Sequence, residues 1–216
     1  RDAIPTILSD ALSVSFNRNV GHDYLEDYEE RYELYNKKES RIQFDLEYFN
    51  KITKGGLPNK TLNIALAGTG VGKSLFMCHH ASSVLLEGKN VLYITLEMAE
   101  EKIAERIDAN LLNVNIQEIV DLPKPIFESK VTNLAKKTQG SLIIKEYPTA
   151  SAHSGHFKAL LNELALKKAF KPDIIFIDYL NICASSRYRA GSNVNSYSYI
   201  KAVSYTHLTL PTTHDV

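Results

Sequence analysis

The feature that most constrains this chain of 216 residues is a glycine-rich run directly after an apolar segment. The run is Ala67-Gly68-Thr69-Gly70-Val71-Gly72-Lys73-Ser74, and the apolar segment before it is 62–66. The run fits the phosphate-binding loop pattern, with alanine in place of the first glycine and the Gly-Lys-Ser ending intact. Because such a loop joins a strand to a helix, the pattern predicts a strand at 61–66 and a helix over 73–87.

Each residue type in this run suits the binding of a polyphosphate. Gly68, Gly70 and Gly72 allow the backbone to turn several N–H groups toward an anion. Lys73 is expected to reach the β- and γ-phosphates of ATP, and the Ser74 hydroxyl to bind Mg²⁺. The positive N-terminal end of the following helix faces the same anion. A glycine-rich turn without a ligand is the alternative, which the predicted strand-loop-helix placement disfavours.

The rest of the chain after Ile42 alternates between strand-like and helix-like patterns. This order predicts an α/β fold in which a parallel sheet is covered by helices on both faces. The segment 173–178 is apolar almost throughout, as is typical of a central parallel strand. Besides the strand and helix around the loop, we predict strands at 90–96, 141–146 and 173–178, and helices at 99–110, 126–138 and 154–169.

The first 40 residues follow a different pattern. Residues 2–16 predict an amphipathic helix, because their apolar residues recur at helical spacing. The charged stretch 26–39 carries tyrosines near helical spacing. It is interpreted either as a solvated helix with its aromatic side chains against the protein body or as an arm that docks on a neighbouring subunit.

Composition limits the classes of partner. Lys and Arg number 25, as do Asp and Glu, so the formal net charge is zero. Any contact with nucleic acid must therefore come from a local basic patch or from assembly of subunits. The two cysteines are typical of a reduced, cytoplasmic protein and form no metal-binding pattern. No apolar stretch is long enough to predict a membrane span, so no membrane partner is expected.

Two acidic residues end predicted strands. Asp178 closes the apolar strand 173–178, and Glu97 follows the strand 90–96. Ligands of open α/β sheets bind at the carboxyl ends of the strands, so both carboxylates are candidates for one nucleotide site. Asp178 would hold Mg²⁺ through water, or would alternatively cap the next turn. Glu97 would polarise the attacking water. Alternatively, its negative charge would stabilise the N-terminal end of the next helix through the helix dipole.

Two further groups are interpreted with less specific patterns. The loop 187–193 carries Arg187 and Arg189 on either side of a tyrosine, which suits contact with a DNA backbone and some base stacking; a solvated loop is the alternative. His79 and His80 are adjacent on a predicted helix and so do not face one site, which favours structural roles.

In combination, these motifs resemble a known family. The run 44–58 before the loop, Thr95-Leu96-Glu97-Met98 and Ile177-Asp178-Tyr179-Leu180 are similar to the DnaB-type replicative helicases, a hexameric branch of the RecA-like ATPases. The loop itself, 96–101 and 106–110 are most similar to the replicative helicases of T-even-type phages. The resemblance covers about residues 2–202.

The resemblance implies an ATP-dependent DNA helicase with a RecA-like core. It implies that Lys73 and Ser74 bind phosphate and Mg²⁺, that Glu97 is the catalytic base, and that Asp178 is the Walker B acid. Helix 2–16 matches the family's linker helix, which packs on an adjacent subunit. The implied partners are single-stranded DNA, further copies of the chain in a hexameric ring, a primase and a helicase loader.

The match to the family is partial. The family's primase-interacting domain has no counterpart, nor do the sensor strand, further DNA-binding loops and arginine finger that follow the position of Ala202. We therefore expect a fragment that is weakly active or inactive alone. We assign 1–40 to the linker helix and arm, 41–202 to the N-terminal part of the ATPase domain, and the threonine-rich segment 203–216 to a non-native tail.

Two other functions stay open on the sequence. One is a RecA-type strand-exchange recombinase, which would form joint molecules without unwinding. The other is a regulatory ATPase without a DNA partner, whose hydrolysis would not respond to DNA. The Thr95-Leu96-Glu97-Met98 run and the linker helix favour the helicase.

Overall fold

The computed structural model describes residues 23–37, 40–149 and 151–184. The chain divides into two compact units, Arg1–Ser40 and Arg41–Val216. In the first unit, helix α1 (Tyr28–Asn36) buries none of its residues. The tyrosines predicted at helical spacing, Tyr24, Tyr28, Tyr32 and Tyr35, are all exposed. The predicted helix 2–16, the loop 187–193 and the segment 203–216 lie outside the described residues.

The second unit is built on a parallel sheet of three strands, which are β3 (Val91–Thr95), β4 (Leu142–Glu146) and β5 (Ile174–Asp178). Their order in the sheet is β4-β3-β5. Every residue of β3 is buried, as expected for the middle strand of a parallel sheet. The register places Thr95 opposite Glu146 on one side and Asp178 on the other. The predicted α/β fold with a parallel sheet is therefore confirmed.

Helices cover both faces of this sheet. Side chains alternate between faces along a strand, so Val91 and Tyr93 point to one side while Leu92 and Ile94 point to the other. The first face packs against α3 (Lys73–Leu86) and α4 (Glu100–Leu112), and the second against α6 (Ser154–Lys168). Each face of the sheet thus has its own hydrophobic core. Helix residues in the core of the first face include Cys78, Ala81, Val84, Ile103 and Ile107. Those in the core of the second face include Phe157, Leu160 and Leu164.

The remaining elements flank the sheet. Strands β1 (Arg41–Ile42) and β2 (Leu57–Pro58) form a short antiparallel pair around helix α2 (Glu47–Ile52). Helix α5 (Lys124–Lys137) precedes β4, and a 3₁₀ turn (Leu180–Ile182) follows β5. The four predicted helices of this unit are confirmed, each with bounds close to those expected. No helix within the described ranges has the length and apolar character that crossing a membrane requires.

The strand predicted at 61–66 is wrong. The segment has no regular secondary structure and all of it is exposed, Leu66 to 94%. A strand is stable only when its backbone groups bond to a neighbouring strand. Within the described residues β5 pairs with β3 alone, and 61–66 forms no ladder with the free edge of β5. The alternating Leu62, Ile64 and Leu66 thus give this segment a strand-like pattern without the pairing that a strand needs.

His80 lies in the core of the first face, surrounded by aromatic rings. The ring of Phe44 stacks on it with centroids 4.3 Å apart, and Phe176 meets it edge-on at 5.6 Å. Neither ring nitrogen has a hydrogen-bond partner among the described residues. Burial lowers the pKa of His80 to about 4, although the nearby Asp45 carboxylate acts in the opposite direction. The neutral imidazole therefore serves as an aromatic core residue.

This burial predicts a pH-dependent stability. An unfolded His80 takes up a proton near pH 6.5, whereas the folded one does so only near pH 4. The contribution of neutral His80 to the free energy of unfolding is thus present above pH 6.5 and is lost as the pH falls toward 4. We expect His80→Phe to remove on the order of 3 kcal/mol of this pH dependence in urea unfolding. The exposed His156→Gln is the control, and an unchanged pH slope in His80→Phe would contradict the prediction.

Candidate nucleotide site

The glycine-rich loop leads directly into helix α3. Gly72 caps the helix with φ at 106°, and Gly70 has φ at 77°. These positive φ values are readily adopted only by glycine, which explains the residue type at both positions. Residues 67–71 of the loop are exposed, and the first N–H groups of a helix lack partners within the helix. The start of α3 therefore offers donors to an anion arriving from solvent.

The structure brings Lys73 and Asp178 together, although they lie far apart in the sequence. Lys73 begins α3, and Asp178 is the last residue of β5. The Lys73 Nζ lies 3.7 Å from Asp178 Oδ1. The Lys73 side chain is 24% exposed and that of Asp178 only 2%, so the lysine faces the solvent side of the pair. The predicted phosphate-binding lysine and metal-binding acid thus share one site.

A buried hydrogen-bond chain holds the Asp178 carboxylate. The Tyr93 hydroxyl donates to Asp178 Oδ2 over 3.1 Å, and the Cys78 thiol donates to the Tyr93 oxygen over 3.8 Å. Burial raises the pKa of both Tyr93 and Cys78, so each keeps its proton and donates. Reasoning from the sequence missed Tyr93. Its only signal was a phenol hydroxyl in a strand whose other residues, apart from Thr95, are apolar.

The other carboxylate oxygen suits a cation. Asp178 Oδ1 is buried and has no hydrogen-bond partner among the described residues, and the Lys73 ammonium lies 3.7 Å from it, beyond hydrogen-bond distance. The missing hydrogen bond costs free energy, which a bound cation would offset. Mg²⁺ prefers such oxygen ligands, often through water. Ser74 follows Lys73 in the first turn of α3, and its hydroxyl would offer a second ligand of the right type. The described residues contain no cluster of three or more His, Cys, Asp or Glu for a metal, so water and phosphate would complete the coordination.

Glu97 follows β3 at the same edge of the sheet. The backbone N–H of Leu96 donates to the Asp178 carbonyl over 2.9 Å, which holds the ends of β3 and β5 side by side. Glu97 is exposed, so its carboxylate is open to water. The structure therefore places Glu97 at the edge where Asp178 ends its strand. The two arginines of the proposed DNA contact, Arg187 and Arg189, lie outside the described residues.

A parallel sheet flanked by helices, with a glycine-rich loop leading to a lysine that meets a buried aspartate at the carboxyl edge of the sheet, is the arrangement of a nucleotide-binding α/β domain. A family model described as "DnaB-like helicase C terminal domain" matches residues 42–206. The chain belongs to this family. The match confirms the resemblance carried by 44–58, 95–98 and 177–180.

Individual relatives agree with the family assignment. The chain is 49% identical over 204 residues to a DnaB-like replicative helicase of Enterobacteria phage T4, covering 93% of this chain and 43% of the relative. The chain thus spans less than half the length of that relative.

Solved structures support the same fold. A DnaB-like replicative helicase, described together with its interactions with primase, matches with a TM-score of 0.63 and 16% identity, over 94% of this chain and 48% of that one. A second structure, described as an ATPase domain, matches with a TM-score of 0.60 and 16% identity, over 85% of this chain and 66% of that one. At this identity the likeness shows the fold alone.

Proposed function

We propose that this chain is part of the ATP-hydrolysing core of a replicative DNA helicase, which moves along single-stranded DNA and unwinds duplex at the replication fork. The observation that carries the proposal is the meeting of Lys73 and Asp178 at the carboxyl edge of the sheet, 3.7 Å apart. Membership of the DnaB-like family supports it.

Each site residue has a distinct role in the proposed ATP site. The loop 67–72 surrounds the phosphates with backbone N–H groups, and Lys73 contacts the β- and γ-phosphates. Ser74 and Asp178 are the residues that would hold Mg²⁺, which neutralises charge on the phosphates when bound. Tyr93 keeps the Asp178 carboxylate in one orientation through its hydrogen bond.

Glu97 is the proposed catalytic base. The oxygen of a water molecule attacks the γ-phosphorus while the bond from that phosphorus to the bridging oxygen of ADP breaks. The proton released by the water passes to the Glu97 carboxylate. An exposed position after β3 lets this carboxylate meet the water from the solvent side.

The proposed partners follow from the family. We infer single-stranded DNA, a hexameric ring of this chain, a primase and a helicase loader, in the cytoplasm of a phage-infected bacterium. Primase interaction is recorded for one structurally similar helicase. Within this proposal helix 2–16 packs on a neighbouring subunit, Arg187 and Arg189 contact DNA, 41–202 forms part of the ATPase domain, and 203–216 is a non-native tail.

The proposal is tested by nucleotide-dependent binding of DNA. We expect the 216-residue chain to bind a fluorescent oligodeoxythymidylate more tightly with a non-hydrolysable ATP analogue and Mg²⁺ than without them. Arg187→Ala and Arg189→Ala should weaken this binding. Binding of nucleotide without any binding of DNA would instead indicate the regulatory ATPase. Joint-molecule formation between homologous strands would indicate the recombinase.

A further inference from the structure

Two consecutive residues at the end of β5 contact the Lys73 ammonium. Asp178 Oδ1 lies 3.7 Å from the Lys73 Nζ. The same Nζ lies over the ring of Tyr179, 3.9 Å from its centroid. Asp178 is itself held by the Tyr93 hydroxyl, so the ammonium meets a carboxylate of defined orientation and an aromatic face.

An aromatic face is well suited to fix a lysine that must also bind another anion. Lysine carries its charge on a flexible four-carbon stem, so its ammonium has many accessible positions. A ring attracts the cation through its electron-rich face and uses none of the three N–H donors for a conventional hydrogen bond. A lysine fixed in this way keeps donors for the oxygens of a phosphate.

A second lysine–tyrosine pair provides an internal comparison. Lys145 Nζ lies 5.7 Å from the centroid of the Tyr147 ring, near the end of β4. The attraction between a cation and a ring falls with distance. The Lys73–Tyr179 contact, at 3.9 Å, is therefore the stronger of the two. It is formed at the loop that would bind nucleotide.

We propose that Tyr179 is a positioning residue for Lys73. Its ring holds the ammonium beside Asp178, at the start of α3, where the phosphates of ATP are received. The inference rests on the proposed function, in which Lys73 contacts the β- and γ-phosphates. The face of the ring carries this role, and the Tyr179 hydroxyl is not required for it.

The first test measures Lys73 in the absence of nucleotide. The 216-residue chain is treated with a low concentration of acetic anhydride, and acetylation of Lys73 is followed by mass spectrometry relative to the exposed Lys168. Without the ring, one side of the ammonium is uncovered. We expect Lys73 to be acetylated at least about twice as fast in Tyr179→Leu as in the wild type. In Tyr179→Phe and in the control Tyr147→Leu, the acetylation rate of Lys73 should be unchanged.

The second test is a double-mutant cycle on nucleotide affinity. A fluorescent ATP analogue is titrated to millimolar concentration into Tyr179→Leu, Lys73→Met and the double variant. We expect Tyr179→Leu to weaken binding by about 2- to 30-fold in the wild-type background and to have no further effect beside Lys73→Met. Tyr179→Phe should restore the wild-type affinity.

The outcomes separate this inference from the proposed function. An unchanged acetylation rate in Tyr179→Leu overturns the positioning role, whether or not nucleotide binds. An equal loss of affinity in both backgrounds of the cycle also overturns it, because the effect would then not pass through Lys73. Faster acetylation in Tyr179→Leu together with a wild type that binds no nucleotide would support the contact and overturn the proposed function.

Discussion

Substitution of Glu97 by Gln is expected to slow ATP hydrolysis by roughly 10²–10⁴-fold, the range for removal of a general base. The amide has the same shape but cannot accept the proton of the attacking water. ATP affinity should stay within about two-fold, because the interaction is made mainly in the transition state. Single-turnover hydrolysis of radiolabelled ATP with the protein in excess measures even a slow rate.

Glu101→Gln is the matched control for this experiment. Glu101 is exposed in the first turn of α4, where a negative side chain stabilises the helix by its interaction with the helix dipole. Such a role is the alternative explanation for Glu97. If Glu97→Gln lowers thermal stability as Glu101→Gln does and leaves the hydrolysis rate unchanged, the catalytic assignment is wrong.

Substitution of Lys73 by Ala is expected to weaken ATP binding by about 10- to 150-fold, the loss that follows removal of a charged hydrogen-bond donor. The ammonium is the cation that the structure places beside Asp178 at the start of α3. A fluorescence titration with an ATP analogue measures the effect, and circular dichroism verifies that the variant is folded.

Lys168→Ala controls for loss of a positive charge in general. Lys168 is exposed at the end of α6, the helix that packs on the opposite face of the sheet from α3. Its removal should leave the affinity unchanged. Equal affinities of Lys73→Ala and the wild type would contradict the assignment of the phosphate-binding loop.

The contacts around Asp178 combine residues that the sequence indicated with residues that it did not. Lys73, Ser74, Glu97 and Asp178 were predicted because each belongs to a short pattern whose residue types suit one chemistry. Tyr93 belongs to no such pattern. Its hydrogen bond to Asp178 exists because β3 and β5 pair in a register that puts Tyr93 opposite Phe176 and Thr95 opposite Asp178.

Helices α3 to α6 and the strands β3, β4 and β5 were predicted from the sequence, because hydrophobic periodicity and apolar runs arise from residues close together in the chain. The short helix α2 was not predicted. The same local signal predicted a strand at 61–66, where the structure has none. A strand depends on hydrogen bonds to another segment, and local composition contains no information about that partner.

Only the tertiary structure decided which side chains meet. The contact of Lys73 with Tyr179, the aromatic surroundings of His80 and the hydrogen bond from Tyr93 to Asp178 join elements that are distant in sequence. Such contacts are set by strand order, register and helix packing, which depend on the whole domain. The sequence alone therefore determined which residues can do the chemistry, and the fold determined what holds them in place, because contact between distant residues follows from packing.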